Sequence, residues 1–114
     1  MSYDNNLYSS PGKFGLATVG EVEWDDACYS FDLTVVWKDI ETGALYFADD
    51  SGCSCPSPFE DTGRDDLTLI DRPQVLIDHI NKRIADLYDW NASENERAKG
   101  DAGQLIVTAR KAMR

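Results

Sequence analysis

The sequence contains no long hydrophobic run and only one histidine. No apolar stretch approaches the roughly 20 residues that cross a bilayer, so we predict no membrane-spanning helix. The first residues have neither a basic flank nor an apolar stretch, which predicts that a secretory signal is absent and that the protein stays in the cytoplasm. In that compartment the three cysteines are expected to be reduced thiols.

Recognisable catalytic motifs are also missing. The sequence has no glycine-rich phosphate loop, no HExxH and no GxSxG. A domain of this size leaves little room for the sugar cleft that a pair of glycosidase carboxylates requires. These absences predict that the protein is not an enzyme.

Basic residues are few and unevenly placed. There are 21 Asp and Glu residues against 11 Lys and Arg, which gives a formal net charge of -10. Residues 1–71 hold 15 of the acids and 3 of the bases, whereas residues 72–114 hold 6 acids and 8 bases. An acidic field of this kind disfavours direct binding to nucleic acid phosphates. It attracts a basic protein partner, and it also keeps a protein in solution.

Hydrophobic alternation predicts three strands. The pattern is clearest in residues 29–38, where aromatic and β-branched side chains recur at every second position. Residues 14–24 alternate in the same way, and residues 44–48 follow a turn that contains Gly43. Short connections favour an antiparallel meander over residues 14–48, preceded by a loosely held arm over residues 1–13.

A long loop and two helices are predicted after the third strand. Residues 49–71 contain seven acids together with glycine and proline, without sustained periodicity. The first helix is expected to begin at Asp71 and Pro73, and the second at the capping box of Ser93 and Glu96. Glycines at positions 100 and 103 predict a break in the second helix or a late start at this point.

The predicted fold is therefore α+β, a three-stranded antiparallel meander followed by a long loop and two C-terminal helices packed on one sheet face. Residues 14–114 are expected to form a single domain, with the sheet in 14–48, the Cys/Pro/acidic loop in 49–71 and the helical pair in 72–114. The buried sheet face is predicted to carry Phe31, Leu33, Val35 and Trp37. It is expected to meet helix residues Leu76, Ile80 and Ile84.

Three cysteines and the histidine form a candidate metal site. Cys53 and Cys55 provide two soft ligands, and Cys28 with His79 would complete a Cys3His set for tetrahedral zinc. The pair is separated by one residue, whereas zinc knuckles usually have two, so thiols that pack or face solvent are the alternative. A thiol nucleophile would have to use His79 as its base, since the chain has no other histidine.

Seven carboxylates form a candidate partner surface. They lie in the predicted strands and in the loop: Glu21, Glu23, Asp32, Asp49, Asp50, Glu60 and Asp61. Negative charge of this kind steers a basic protein toward its binding site. Self-association is an alternative, either by docking of the acidic half on the basic half or by pairing of exposed strand edges.

Two segments carry a resemblance to a known family. The run GEVEWDDACYSFDLTVVWKD at residues 20–39 and the run ADDSGCSCPSPFED at residues 48–61 resemble small uncharacterised actinobacteriophage proteins. No activity, substrate or cofactor is established for that family. The resemblance therefore implies a context only, namely a phage accessory protein made in the host bacterial cytoplasm.

The sequence favours a non-enzymatic interaction protein that binds a host protein through an acidic sheet and loop surface. Two alternatives stay open. One is a small zinc-binding module that uses Cys53 and Cys55, and the other is a self-associating structural protein.

Overall fold

The computed structural model describes residues 6–24, 30–53, 59, 62–86 and 92–112, apart from the side chains of residues 30, 53 and 92–95. The described residues form four strands and two α-helices, which are β1 (Leu16–Glu23), β2 (Ser30–Asp39), β3 (Leu45–Cys53), β4 (Thr68–Ile70), α1 (Pro73–Ala85) and α2 (Ala92–Ala112). Short 3-10 helices precede β1 at Pro11–Phe14 and β4 at Arg64–Asp66.

The four strands form one antiparallel sheet in the order β1-β2-β3-β4. The α+β class is confirmed, but the prediction of three strands followed by a long loop over residues 49–71 is wrong. Strand β3 continues to Cys53, and the three residues of β4 pair with its first part. Asp49 and Asp50 are poor strand formers, yet each lies directly opposite a residue of β2, which stabilises the extended backbone.

Both faces of the sheet are covered. One face packs against α1 and α2, and we call it the helix face; it carries Val22, Trp24, Thr34, Val36 and Phe47. The other face packs against the segment that precedes β1, and we call it the arm face; it carries Leu33, Val35, Trp37 and Tyr46.

The predicted contact between Leu33, Val35 and Trp37 and the helices is therefore wrong. These side chains pack against Leu7 and Phe59, both fully buried on the arm face. Helix residues meet the opposite side of β2, where Val36 is also fully buried. A strand buried on both faces does not show the simple alternation of a half-exposed strand.

A β-bulge in β1 explains how the sheet fills both layers. The register with β2 shifts between Thr18 and Gly20, so the side-chain order of β1 is inverted beyond that point. Leu16 consequently joins the arm-face core, whereas Val22 joins the helix-face core, although both positions have the same parity in the sequence.

The helices follow the expected apolar stripes. Pro73 occupies the first turn of α1, and Leu76 and Ile80 are buried. The N-cap residue is Arg72 rather than the predicted Asp71. Helix α2 runs without a break through both glycines, contrary to the prediction.

Within the described residues no helix is long and apolar enough to cross a membrane.

Gly20 in β1 permits the close approach of α2. A Cβ atom built at this position would lie 2.9 Å from Cδ1 of Leu105, closer than side-chain packing allows. The bulge places this glycine on the helix face, where the Leu105 side chain of α2 packs on the β1 backbone.

Candidate functional site

Five polar side chains meet between the helix face and α1, and we call them the polar cluster: Asp32, Thr34, Asp49, His79 and Arg83. The sheet register places Thr34 of β2 directly opposite Asp49 of β3. Helix α1 contributes two side chains four residues apart, which lie on the same helix face. The cluster therefore joins the helix to two neighbouring strands.

Charged hydrogen bonds connect α1 to the strands. His79 Nε2 lies 2.8 Å from Asp49 Oδ2, and its ring packs at a tilt against Phe47 with 4.5 Å between the centroids. Arg83 donates to Asp32 Oδ2, and its other terminal nitrogen lies 3.6 Å from Asp49 Oδ2. These carboxylates are 25% and 30% exposed, and they are neutralised within the protein.

Thr34 links the cluster to the core. Its hydroxyl donates to Asp49 Oδ1 at 2.5 Å and accepts a hydrogen bond from Trp24 Nε1 at 2.8 Å. The guanidinium of Arg83 lies over the Trp24 ring, 5.3 Å from its centroid. Trp24 and Asp49 thus lie close to Arg83, and Thr34 holds both of these side chains in place.

The environment of Asp49 favours its charged form. Burial alone would raise the pKa of this carboxyl. The hydrogen bonds from His79 and Thr34, together with the positive charges of His79 and Arg83, outweigh burial and hold the pKa of Asp49 below its usual value. Asp49 therefore acts as an anionic anchor for α1.

The hydrogen bonds of the polar cluster attach α1 to the two strands. Its hydroxyl, on Thr34, is fully buried and already uses both its donor and its acceptor. His79 uses its Nε2 atom in the hydrogen bond with Asp49. Among the described residues, no three His, Cys, Asp or Glu side chains are grouped so as to hold a metal ion.

A second ion pair closes the opposite end of the sheet. Arg64 Nη2 lies 2.5 Å from Asp39 Oδ2, and Arg64 Nη1 donates to the carbonyl of Phe14 at 3.2 Å. The Arg64 hydrogen bond, supported by backbone N–H groups of Glu41 and Thr42, lowers the pKa of Asp39 to about 2. Arg64 thus ties the segment before β4 to the arm and to the β2–β3 turn.

The arm seals the arm face with aromatic packing. Trp37 Nε1 donates to the carbonyl of Leu7 at 3.1 Å, and the Trp37 ring makes an edge contact with Phe59 at a centroid distance of 5.1 Å. Tyr8 stacks on Phe59 and donates its hydroxyl to Glu21 at 2.8 Å. Burial, the hydrogen bond and the nearby negative charge raise the pKa of Tyr8 to about 12.

Strand β3 extends beyond β4, and we call residues 48–53 the β3 extension. The N–H of Asp39 donates to the carbonyl of Ala44 at the turn, so the backbone groups of Ala44 point toward β2. Since ladder bonds alternate, Ala48 and Asp50 direct their backbone groups toward β2, whereas Asp49 and Ser51 direct theirs to the opposite side. β4 pairs only with Leu45–Phe47. No described residue pairs with the outward backbone groups of Asp49 and Ser51.

Of the four predicted zinc ligands, the structure describes the side chain of His79. Cys28 and Cys55 fall outside the described residues, as does the side chain of Cys53. The fourth predicted ligand, His79, is hydrogen-bonded to Asp49. Zinc binding by these four residues stays a prediction.

The predicted acidic surface is divided between the two faces of the sheet. Asp32 and Asp49 lie on the helix face in ion pairs with α1. Glu21 accepts the Tyr8 hydroxyl on the arm face, and Asp50 accepts the N–H of Phe59 at 2.7 Å. Glu23 accepts the N–H of Asp32 at 3.2 Å. The remaining two, Glu60 and Asp61, lie outside the described residues.

Sequence reasoning missed two arginines that organise these contacts. The spacing of His79 and Arg83 on one helix face, opposite a strand pair rich in acids, is a signal that could have identified Arg83. Arg64 shows no such signal, because its partners Asp39 and Phe14 are distant in the sequence.

Comparison with known proteins supplies a family and no activity. No curated protein and no solved structure matches the chain. A family model described as "Domain of unknown function (DUF7574)" matches residues 5–109, which includes the arm, all four strands and most of α2. The chain therefore belongs to the DUF7574 family.

Proposed function

We propose that this protein is a non-enzymatic interaction protein that binds another protein at the end of the sheet formed by the β3 extension. The observation that carries this proposal is the unequal length of the last two strands. β3 has nine residues and β4 has three, so the outward side of the β3 extension has no strand partner among the described residues. Unpaired strand edges are binding sites for other chains.

The charge distribution supports a basic partner. The carboxylates of Asp32 and Asp49 are engaged within the protein by side chains of α1, Arg83 and His79. Asp50 on the β3 extension has no ion-pair partner among the described residues. A carboxylate beside an open edge favours a partner with positive charge there.

The resemblance to actinobacteriophage proteins completes the proposal. A phage accessory protein acts in the host bacterial cytoplasm, where the partner would be a host protein. Host lysate is therefore the source in which we expect to find the partner.

Affinity capture with matched variants tests the proposed function. We expect the wild-type chain to retain one host protein reproducibly and to release it when salt is raised, because charge contributes to the contact. Asp50→Asn, which keeps the oxygen that accepts the Phe59 N–H, is expected to retain less of the same protein.

The control is Asp101→Asn, which removes an exposed carboxylate on α2, far from the β3 extension in the sequence. It should capture the partner as the wild type does. Equal capture by the wild type and Asp50→Asn, or no salt-sensitive partner at all, would contradict the proposed function.

A further inference from the structure

We propose that the partner contributes an extended, lysine- or arginine-bearing segment that pairs with the β3 extension as a fifth strand of the sheet. This inference rests on the proposed function and specifies how the partner is bound. It is carried by three features of the described residues: the direction of the backbone groups, the path of the chain before β4, and the charge along the strand.

Backbone direction provides the docking groups. Asp49 and Ser51 each present one N–H and one C=O away from β2, spaced two residues apart along the strand. Leu45 and Phe47 present theirs in the same direction and are paired by Ile70 and Thr68. An added strand would continue the row that β4 begins, with the same spacing of hydrogen bonds.

The chain before β4 leaves the β3 extension accessible within the described residues. Arg64 reaches Phe14 and Asp39, and Leu67 packs in the arm-face core. Phe59 is likewise buried in the arm-face core. These side chains lie over the arm face, and the backbone of these three residues makes no hydrogen bond with the backbone of Asp49 or Ser51.

The negative charge of the β3 extension indicates which kind of chain can pair with it. A second copy of this chain would bring two acidic strands side by side, and like charges across neighbouring strands are destabilising. The other outer strand, β1, is a poor partner because it carries Glu21 and is bent by the bulge beyond Thr18. A segment from another protein with positive side chains satisfies both the backbone and the charge.

The register indicates where the positive side chain belongs. The residue of the added strand directly opposite Asp50 projects on the arm face, as Asp50 does. A lysine or arginine at this position would pair with the carboxylate, whose Oδ2 already accepts the N–H of Phe59. The neighbouring residues of the segment project on the helix face, beside Asp49 and Ser51.

The test uses the full chain and a synthetic hexapeptide of alternating lysine and valine. We expect titration, followed by NMR of the labelled protein, to shift the amide resonances of Asp49 and Ser51 more than those of β1. A matched peptide of glutamate and valine should bind at least about ten-fold more weakly, since it reverses the charge. Resonance shifts confined to other elements would overturn the inference.

Two changes separate backbone pairing from simple charge attraction. The lysine peptide is methylated on its valine backbone nitrogens, which lie opposite Asp49 and Ser51 when a lysine lies opposite Asp50. This removes the hydrogen-bond donors that face β3 and keeps the charge, and we expect about a ten-fold loss of affinity. Ser51→Pro removes the outward N–H from the protein itself and should cause a similar loss, whereas Ser51→Ala should bind as the wild type. Unchanged binding of the methylated peptide contradicts strand addition even if Ser51→Pro fails to fold.

The outcomes distinguish this inference from the proposed function. Capture of the same host protein by the wild type and by folded Ser51→Pro, with loss only in Asp50→Asn, would keep the proposed function and overturn strand addition. Absence of a salt-sensitive host partner would contradict the proposed function, on which this inference rests.

Discussion

The two faces of the sheet are held by different forces. On the helix face, charged groups of α1 reach acids of β2 and β3, and the hydroxyl of Thr34 links them to the core. On the arm face, Leu7 and Phe59 fill an apolar layer beneath Trp37. The difference shows that some of the strand acids, Asp32 and Asp49, are used inside the protein, where they hold α1 on the sheet.

The largest expected effect is on the arm face. Leu7→Ala creates a cavity at a fully buried position, and we expect it to lower the free energy of unfolding by about 2–5 kcal/mol. Urea denaturation measures the change. Val107→Ala, at a position that is 45% exposed, is the control and should change stability by less than about 0.5 kcal/mol. An equally small effect of Leu7→Ala would show that the arm is not part of the core.

The next effect is on the helix face. Thr34→Val keeps the shape of the side chain but leaves the Trp24 N–H without its acceptor and Asp49 Oδ1 without its donor. Loss of these buried hydrogen bonds should cost about 1–3 kcal/mol in urea denaturation. Thr68→Val, at an exposed position of β4, provides the matched control. A stability equal to that of the wild type would contradict a stabilising role for the hydrogen bonds that link Trp24, Thr34 and Asp49.

Arg83→Gln is expected to cost about 1–2 kcal/mol, between the values typical of exposed and of buried ion pairs. The substitution leaves Asp32 without its cation and removes the guanidinium that lies near Asp49. Added salt should destabilise the wild type more than the variant, because screening acts on the pair. Lys82→Gln, on the same helix and exposed, should change neither property. Identical salt dependence of Arg83→Gln and the wild type would contradict the ion-pair account.

Acid should weaken the Arg64 end of the sheet. The pKa of Asp39 is lowered from 3.8 to about 2, so the folded state holds its proton less tightly than the unfolded state does. The resulting stability is fully present above pH 4 and is lost as the pH falls toward 2. Melting temperatures measured across this range should fall less steeply for Asp39→Asn than for the wild type. Equal slopes would show that Asp39 is not the responsible group.

Alkali should weaken the arm face instead. The pKa of Tyr8 is raised from 10.0 to about 12, so the folded state favours the neutral phenol. This contribution is fully present below pH 10 and is lost as the pH rises through 12. Tyr8→Phe should remove that part of the alkaline loss in thermal melts, whereas Tyr46→Phe serves as the comparison. A variant that follows the wild-type curve would contradict the assignment.

The sequence predicts the parts of this fold that depend on local pattern. Alternation locates β2, and the apolar spacing with Pro73 locates α1. The alternation does not predict that β2 is buried on both faces. Leu33 and Val36 lie on opposite faces and are both buried, so the hydrophobic pattern does not show which face meets the helices. The sequence also does not predict the bulge near Gly20. Because of this bulge, residues of the same parity on its two sides point to opposite faces of the sheet.

The β3 extension and its open edge are less predictable from the sequence, because they depend on pairing between distant segments. Asp49 and Ser51 have the composition of a turn, and only their register with β2 makes them a strand. β4 is too short to show a pattern in the sequence. The acids of the predicted surface are separated by the pleat, which sends Asp49 to one face and Asp50 to the other.

Amide hydrogen exchange in the free protein tests the unpaired edge most directly. If the edge of the β3 extension is open, the amides of Asp49 and Ser51 will exchange rapidly, while the amides of Ala48 and Asp50, which point toward β2, will be protected. Strong protection at all four amides would show that the edge is already occupied, and it would remove the basis of both the proposed function and strand addition.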